Sequence, residues 1–148
     1  MWTWIKANAH ALEALGAVLV AVFALAALIG VKLQVDATSQ LQKEQAAREI
    51  YSEFLALSVR QPALAAGGYC DRRDATQIIA YENYVEYLLY TAEQVIDMDQ
   101  DWETPIRQTM KRHGDYICAR NDWTGYPTSV LQLIEDVRAD QCVNQTAC

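Results

Sequence analysis

The residues in this chain best suited to chemistry are acids, one histidine and the cysteines, and none of these sets completes a motif. Asp97, Asp99, Asp101 and Glu103 alternate with Met98, Gln100 and Trp102, the D-x-D-x-D spacing that begins a calcium-binding loop. Such a loop needs glycine at its sixth position for the turn and a bidentate glutamate at its twelfth. Here those positions hold Trp102 and Gln108. Asp97, Asp99 and Asp101 are therefore weak metal candidates. The plainer expectation is a solvated turn whose acids favour the N-terminus of the helix that follows. His113 falls on an apolar helical stripe, where a histidine is usually a satisfied core residue. A carboxylate-bridged metal bundle needs paired Glu-x-x-His motifs, and Glu82, Glu86 and Glu93 have no histidine three residues on. There is no Gly-rich phosphate loop and no G-x-S-x-G nucleophile elbow. No catalytic residue and no cofactor is expected, so the chain reads as a non-enzyme.

Cys70, Cys118, Cys142 and Cys148 stand at spacings of 48, 24 and 6 residues. That pattern contains no C-x-x-C, which disfavours a zinc knuckle or a thioredoxin-like centre. An even number of cysteines on one side of a membrane suggests two disulfides in an oxidising compartment. Four buried thiols in a reducing cytoplasm is the alternative.

The element that holds all of this is residues 14–31, ALGAVLVAVFALAALIGV, which carry no charged side chain. At 1.5 Å per residue they cover roughly 27 Å, close to the hydrocarbon thickness of a bilayer. Trp2 and Trp4 before the run and Lys32 after it suit anchoring at the two interfaces, and His10 is expected to be interfacial. A secretory signal peptide fits poorly, because its positive end would be Lys6 alone and no small-x-small cleavage site follows before Lys32. The expected organisation is a membrane anchor over residues 1–37, with a transmembrane helix at about 12–32, and an acidic helical domain over 38–148.

Within 1–37, Lys6 and Lys32 balance Glu13 and Asp36, so the whole net charge of −7 falls on the second segment. That acidity argues against nucleic acid, whose phosphates need clustered Lys and Arg, and against a face lying on anionic lipid. A hydrophobic fraction of 52% is enough for a packed core. The positive-inside rule is nearly silent, since few Lys or Arg flank the span on either side. The cysteines favour an external, periplasmic domain.

Neither proline nor glycine occurs between Val31 and Gln61, so the membrane helix is expected to continue as one helix of about 55 residues. Its juxtamembrane stripe is Ala47, Ile50, Tyr51, Phe54, Leu57 and Ser58; Pro62 ends it and Gly67-Gly68 opens a loop. A second helix starts at the N-cap Asp74 and runs to about Ile96, with Ile78, Tyr81, Val85, Leu89, Ala92 and Ile96 inward. Its other side carries Tyr84, Tyr87 and Tyr90, more apolar than a solvated face requires. These three are the expected interface residues. Ile106, Met110, His113 and Ile117 define a third helix, and Val130, Leu133, Ile134 and Val137 a shorter fourth one. Arg107, Lys111 and Arg112 form a basic face expected to pair with the acids of the second helix.

The fold class is all-α: one N-terminal transmembrane helix continuing into a small up-and-down helical bundle. In four such legs Cys118 lies beside Cys70 at the far end, and Cys142 is left for Cys148. The Cys70–Cys118 loop would contribute on the order of 4 kcal/mol.

The arrangement resembles a group of bacterial single-span proteins, those of domain of unknown function 4760. The resemblance rests on the N-terminal span, the Gln-rich juxtamembrane helix (Gln34, Gln40, Gln42, Gln45) and Pro62 after it. It rests also on the Tyr81-Glu82-Asn83-Tyr84 core and Trp102 near the next helix start. It implies the architecture and a bacterial inner membrane, and it transfers no activity. The expected function is a non-catalytic structural or accessory subunit, with the lipid bilayer and other membrane protein subunits as partners. The alternative is a membrane-tethered ligand- or ion-sensing module that uses the acidic turn 97–103.

Overall fold

In the computed structural model, which describes residues 9–143 and the side chains of residues 16–143, no strand occurs among the described residues. Helix α1 spans Ala9–Arg60 without interruption. The chain divides into two compact units, Met1–Gln42 and Lys43–Cys148. In the first unit the apolar part of α1 is uncovered: Val20, Phe23 and Leu28 are 69%, 72% and 67% exposed. The helix is long and apolar enough to cross a membrane, which is where such a surface is stable. The expected anchors Trp2 and Trp4, and also Lys6, lie outside the described residues, as does the side chain of His10.

The second unit begins with the last turns of α1, whose Ala47 and Phe54 are fully buried and whose Ile50, Tyr51 and Leu57 pack at the edge. The break falls at Gln61, where the residue before a proline is pushed out of helical geometry. Pro62 then opens the short helix α2, Pro62–Ala65. Gly67 and Gly68 follow with φ of +89° and +77°. At Gly67 a Cβ would lie 2.2 Å from the Arg112 carbonyl oxygen, so the backbone needs glycine there for contact as well as for conformation.

Helix α3, Ala75–Met98, is capped by Asp74, whose Oδ1 accepts from the backbone N–H groups of Thr76 and Gln77 at 2.9 and 3.1 Å. Tyr81, Val85, Leu89, Ala92 and Ile96 are buried as expected, with Leu88, Thr91 and Val95 beside them. A 3₁₀ turn at Gln100–Trp102 leads into α4, Glu103–Lys111. The expected third helix then breaks. His113 leaves helical geometry at φ −108°, ψ 22°, and α5 restarts at Gly114–Ala119. Helix α6, Thr128–Gln141, follows Pro127 and buries Val130, Leu133, Ile134 and Val137.

The break adds a leg to the bundle. Arg107 pairs with Asp136 at 3.1 Å and Lys111 with Asp140 at 2.7 Å. Both partners advance by four residues, so α4 and α6 run side by side in the same direction. Alternation is kept because α5 and the loop after it carry the chain back between them. These pairs also correct the expectation that the basic face meets the second helix. Its acceptors on another helix, Asp136 and Asp140, are on α6, while Arg107 also pairs with Glu103 of α4 itself and Arg112 donates to Thr109.

Candidate functional site

The acidic turn does not assemble a ligand set. Asp97 receives the Ser129 hydroxyl at 3.5 Å, and Asp99 caps the 3₁₀ turn by accepting from the Asp101 N–H at 3.0 Å. Among the described residues no three His, Cys, Asp or Glu side chains are grouped to hold a metal ion.

The cysteine pairing differs from the expected one. Cys118 is bonded to Cys142, with Cα atoms 5.5 Å apart. This excludes both Cys70–Cys118 and Cys142–Cys148. The reason is the extra leg: α5 lies against the end of α6, where a Cβ on its first residue, Gly114, would touch the Gln141 side chain at 3.3 Å and Cys118, near its last, meets Cys142. Cys70 is not a free thiol either, and Cys148 lies outside the described residues.

Of the three expected interface tyrosines, Tyr84 points inward. It is 3% exposed, its ring lies 5.6 Å from Phe54 and its hydroxyl is hydrogen-bonded to Ser58 at 2.6 Å. The juxtamembrane turns of α1 cover it, which helical periodicity within α3 alone cannot reveal. Tyr87 is half-buried against Phe54, and Tyr90 is exposed.

Two polar constellations are built where separate elements meet. The first is the junction of α4 and α5 with the loop after α2. Asp115 accepts from the backbone N–H of Tyr69 and, at 3.4 Å, from that of Cys70. Arg72 donates to the carbonyls of Ala63 and Gly67 at 2.8 and 2.9 Å, and its guanidinium carbon lies 4.4 Å from the Tyr81 ring centroid. The Tyr81 hydroxyl and His113 Nδ1 are hydrogen-bonded at 2.6 Å, while His113 Nε2 is buried without a protein partner. Burial, then the nearby Arg112 charge, lowers the His113 pKa to about 4, so the ring is neutral at ordinary pH. Burial likewise pushes the Tyr81 phenol well up. Tyr81 and His113 are buried at its centre, Tyr69, Arg72 and Asp115 are part-buried around them, and the cluster holds a loop to a helix junction.

The second is an open groove along α3. A cleft of about 420 Å³ is lined by Tyr69, Glu82, Asn83, Glu86, Tyr116 and Arg120. A second cleft of about 340 Å³ adjoins it through Glu86 and Arg120 and is completed by Tyr90, Glu93 and Tyr126. Arg120 bridges the two: it donates to Glu86 at 2.7 Å and to the Tyr116 hydroxyl at 2.8 Å, and lies 4.8 Å over the Trp123 ring. The Glu86 carboxylate, more than any other group, raises the Arg120 pKa above the usual arginine value. Tyr69 donates to Glu82 at 3.2 Å. Burial, then the Glu86 charge, pushes Tyr126 up to about 12.

Sequence reasoning singled out Glu82, Glu86 and Glu93 as acids of the second helix without a histidine three residues on. It missed Arg120, Tyr116 and Tyr126, which reach the groove only through the fold. Comparison with known protein families, curated proteins and solved structures found no match.

Proposed function

We propose that this chain is a membrane-anchored, non-catalytic accessory subunit that assembles into a larger membrane protein complex. The observation that carries this reading is the uncovered apolar surface of α1, where the window long enough to span a bilayer has none of its residues buried. A monomer in water would not tolerate such a surface, whereas lipid and neighbouring spans cover it at no cost in hydrogen bonding. The Cys118–Cys142 bond supports a domain on the oxidising side, which in a bacterial inner membrane is the periplasm. The closed aromatic core supports a domain that positions a surface rather than one that turns over a substrate.

Native electrophoresis of membranes solubilised in mild detergent tests the assembly. A species well above the mass of one chain is expected, and migration as a lone monomer would overturn the reading. An alkaline-phosphatase fusion at the C-terminus tests orientation, and an inactive fusion beside an active green-fluorescent one would place the domain in the cytoplasm. For the sensing alternative, no three His, Cys, Asp or Glu side chains are grouped to hold a metal ion among the described residues.

A further inference from the structure

We infer that the groove along α3 is a docking surface for an extended, doubly basic segment of a partner protein, gripped by Glu82 and Glu93 on either side of Arg120. The inference rests on the accessory-subunit reading and names the surface through which the subunit recognises its neighbour.

The floor of the groove is a single helix face. Glu82 and Glu93 are eleven residues apart, which at 100° per residue is three turns plus about 20°, so both carboxylates lie on one line roughly 16 Å apart. Glu86 lies between them, within about 40° of Glu82 by the same count. The chain itself shows what this floor binds. The guanidinium of Arg120 takes the central seat between Glu86, the Tyr116 hydroxyl and the Trp123 face. That is the combination of carboxylate, hydroxyl and aromatic ring that suits a planar cation. The two outer seats repeat the chemistry without a paired cation among the described residues. Among the described residues Glu82 has the Tyr69 hydroxyl as its one partner, with the Tyr116 ring 5.0 Å from that of Tyr69. Glu93 stands beside Tyr90 and Tyr126. No Lys or Arg of α3 can neutralise either acid, because the helix contains none.

The lining also excludes other occupants. Three carboxylates against one guanidinium repel a phosphate or a nucleic acid. The clefts are too open and polar to enclose an apolar small molecule. A strand-like segment fits the length. Side chains four residues apart in an extended chain project to the same face about 13 Å apart, and the flexible stems of Arg or Lys cover the remainder.

The test uses the full chain in detergent micelles and a fluorescein-labelled peptide, Gly-Arg-Ser-Gly-Ser-Arg-Gly, read by anisotropy at low salt. Saturable binding is expected. The peptide with both arginines replaced by glutamine should not bind, and the double variant Glu82→Gln/Glu93→Gln should weaken binding at least about tenfold. Glutamine preserves the acceptor for Tyr69, and an unchanged near-ultraviolet spectrum establishes that the variant is folded. The control Glu49→Gln/Glu53→Gln removes the same charge from exposed positions of α1 that do not line the groove, and should bind as the wild type does. Equal loss in both double variants would mean a general charge effect and would overturn the inference. So would spermine displacing the labelled peptide more effectively than unlabelled peptide does. Native electrophoresis separates the two readings. A complex that persists in the Glu82→Gln/Glu93→Gln variant leaves the accessory role standing and removes the groove as its docking surface. A lone wild-type monomer that still binds the peptide does the reverse.

Discussion

Acid sensitivity of the bundle should be governed by His113. The ring is fully buried, with Tyr81 on Nδ1 and no hydrogen-bond partner for Nε2 among the described residues. The charged and titratable groups around it are Arg112 and Asp115 on its own segment, Arg72 from the loop after α2, and Tyr81 and Tyr84 from α3. Burial lowers its pKa first and Arg112 second; Asp115 opposes them and Arg72 adds a smaller push down, leaving a value of about 4 against 6.5 in an unfolded chain. Because the folded value is the lower one, the unfolded chain takes up the proton first. The full stability is therefore present above pH 6.5 and is lost as the pH falls towards 4. The difference, 6.5 minus about 4, corresponds to about 3 kcal/mol in total, of which about 2.5 kcal/mol is gone by pH 4.5. That is a large part of the net stability of a small domain. The comparison is His113→Asn, which keeps a hydrogen-bonding partner for Tyr81 and cannot titrate. Melting of the full chain in micelles, followed by near-ultraviolet circular dichroism at about pH 7 and pH 4.5, reads the effect. The variant starts less stable at pH 7, having lost packing. Its melting temperature should then fall by roughly 10 °C less than the wild type's on acidification. Parallel falls in the two proteins would refute the assignment of the acid response to this ring.

The Cys118–Cys142 bond closes a loop across 24 residues, for which the chain-entropy model gives about 3.5 kcal/mol. Cys118→Ser should therefore lower the melting temperature strongly. Mass mapping of the non-reduced protein should recover the Cys118 and Cys142 peptides linked; recovery of Cys118 with Cys70 would contradict the fold of α5. Gly67→Ala places a methyl 2.2 Å from the Arg112 carbonyl and at φ +89°, so a loss of about 2 kcal/mol or more is expected in urea unfolding, against a near-neutral Gly125→Ala control in packing terms. Gly125 also has positive φ but nothing within 4 Å, so it separates the conformational cost from the clash.

What local sequence determined is nearly every helix. A period of 3.6 residues is a property of ten or so neighbours, and it located the buried faces of α3 and α6, the cap at Asp74 and the stop before Pro62. Chain composition alone likewise marked the apolar run of α1. What the tertiary structure decided is every feature that depends on two distant segments meeting. The stripe Ile106, Met110, His113 and Ile117 is buried as its spacing says, yet the helix carrying it breaks. The break falls at Gly114, a poor helix former, and is matched from outside by Gly67 close to the Arg112 carbonyl and by Asp115 holding the backbone at Tyr69. From that break follow the extra leg, the pairing of Cys118 with Cys142 and the ion pairs of α4 with α6. Tyr84 departs from the expected outward side for the same reason: period assigns a residue to a side of its helix, and only the arrival of Phe54 and Ser58 from α1 makes that side an interior. The groove is the clearest case. Glu82, Glu86 and Glu93 share a face by local geometry, but Arg120, Tyr116 and Tyr126 become its opposite wall only because α5 folds back, a contact between segments some thirty residues apart that local periodicity does not encode.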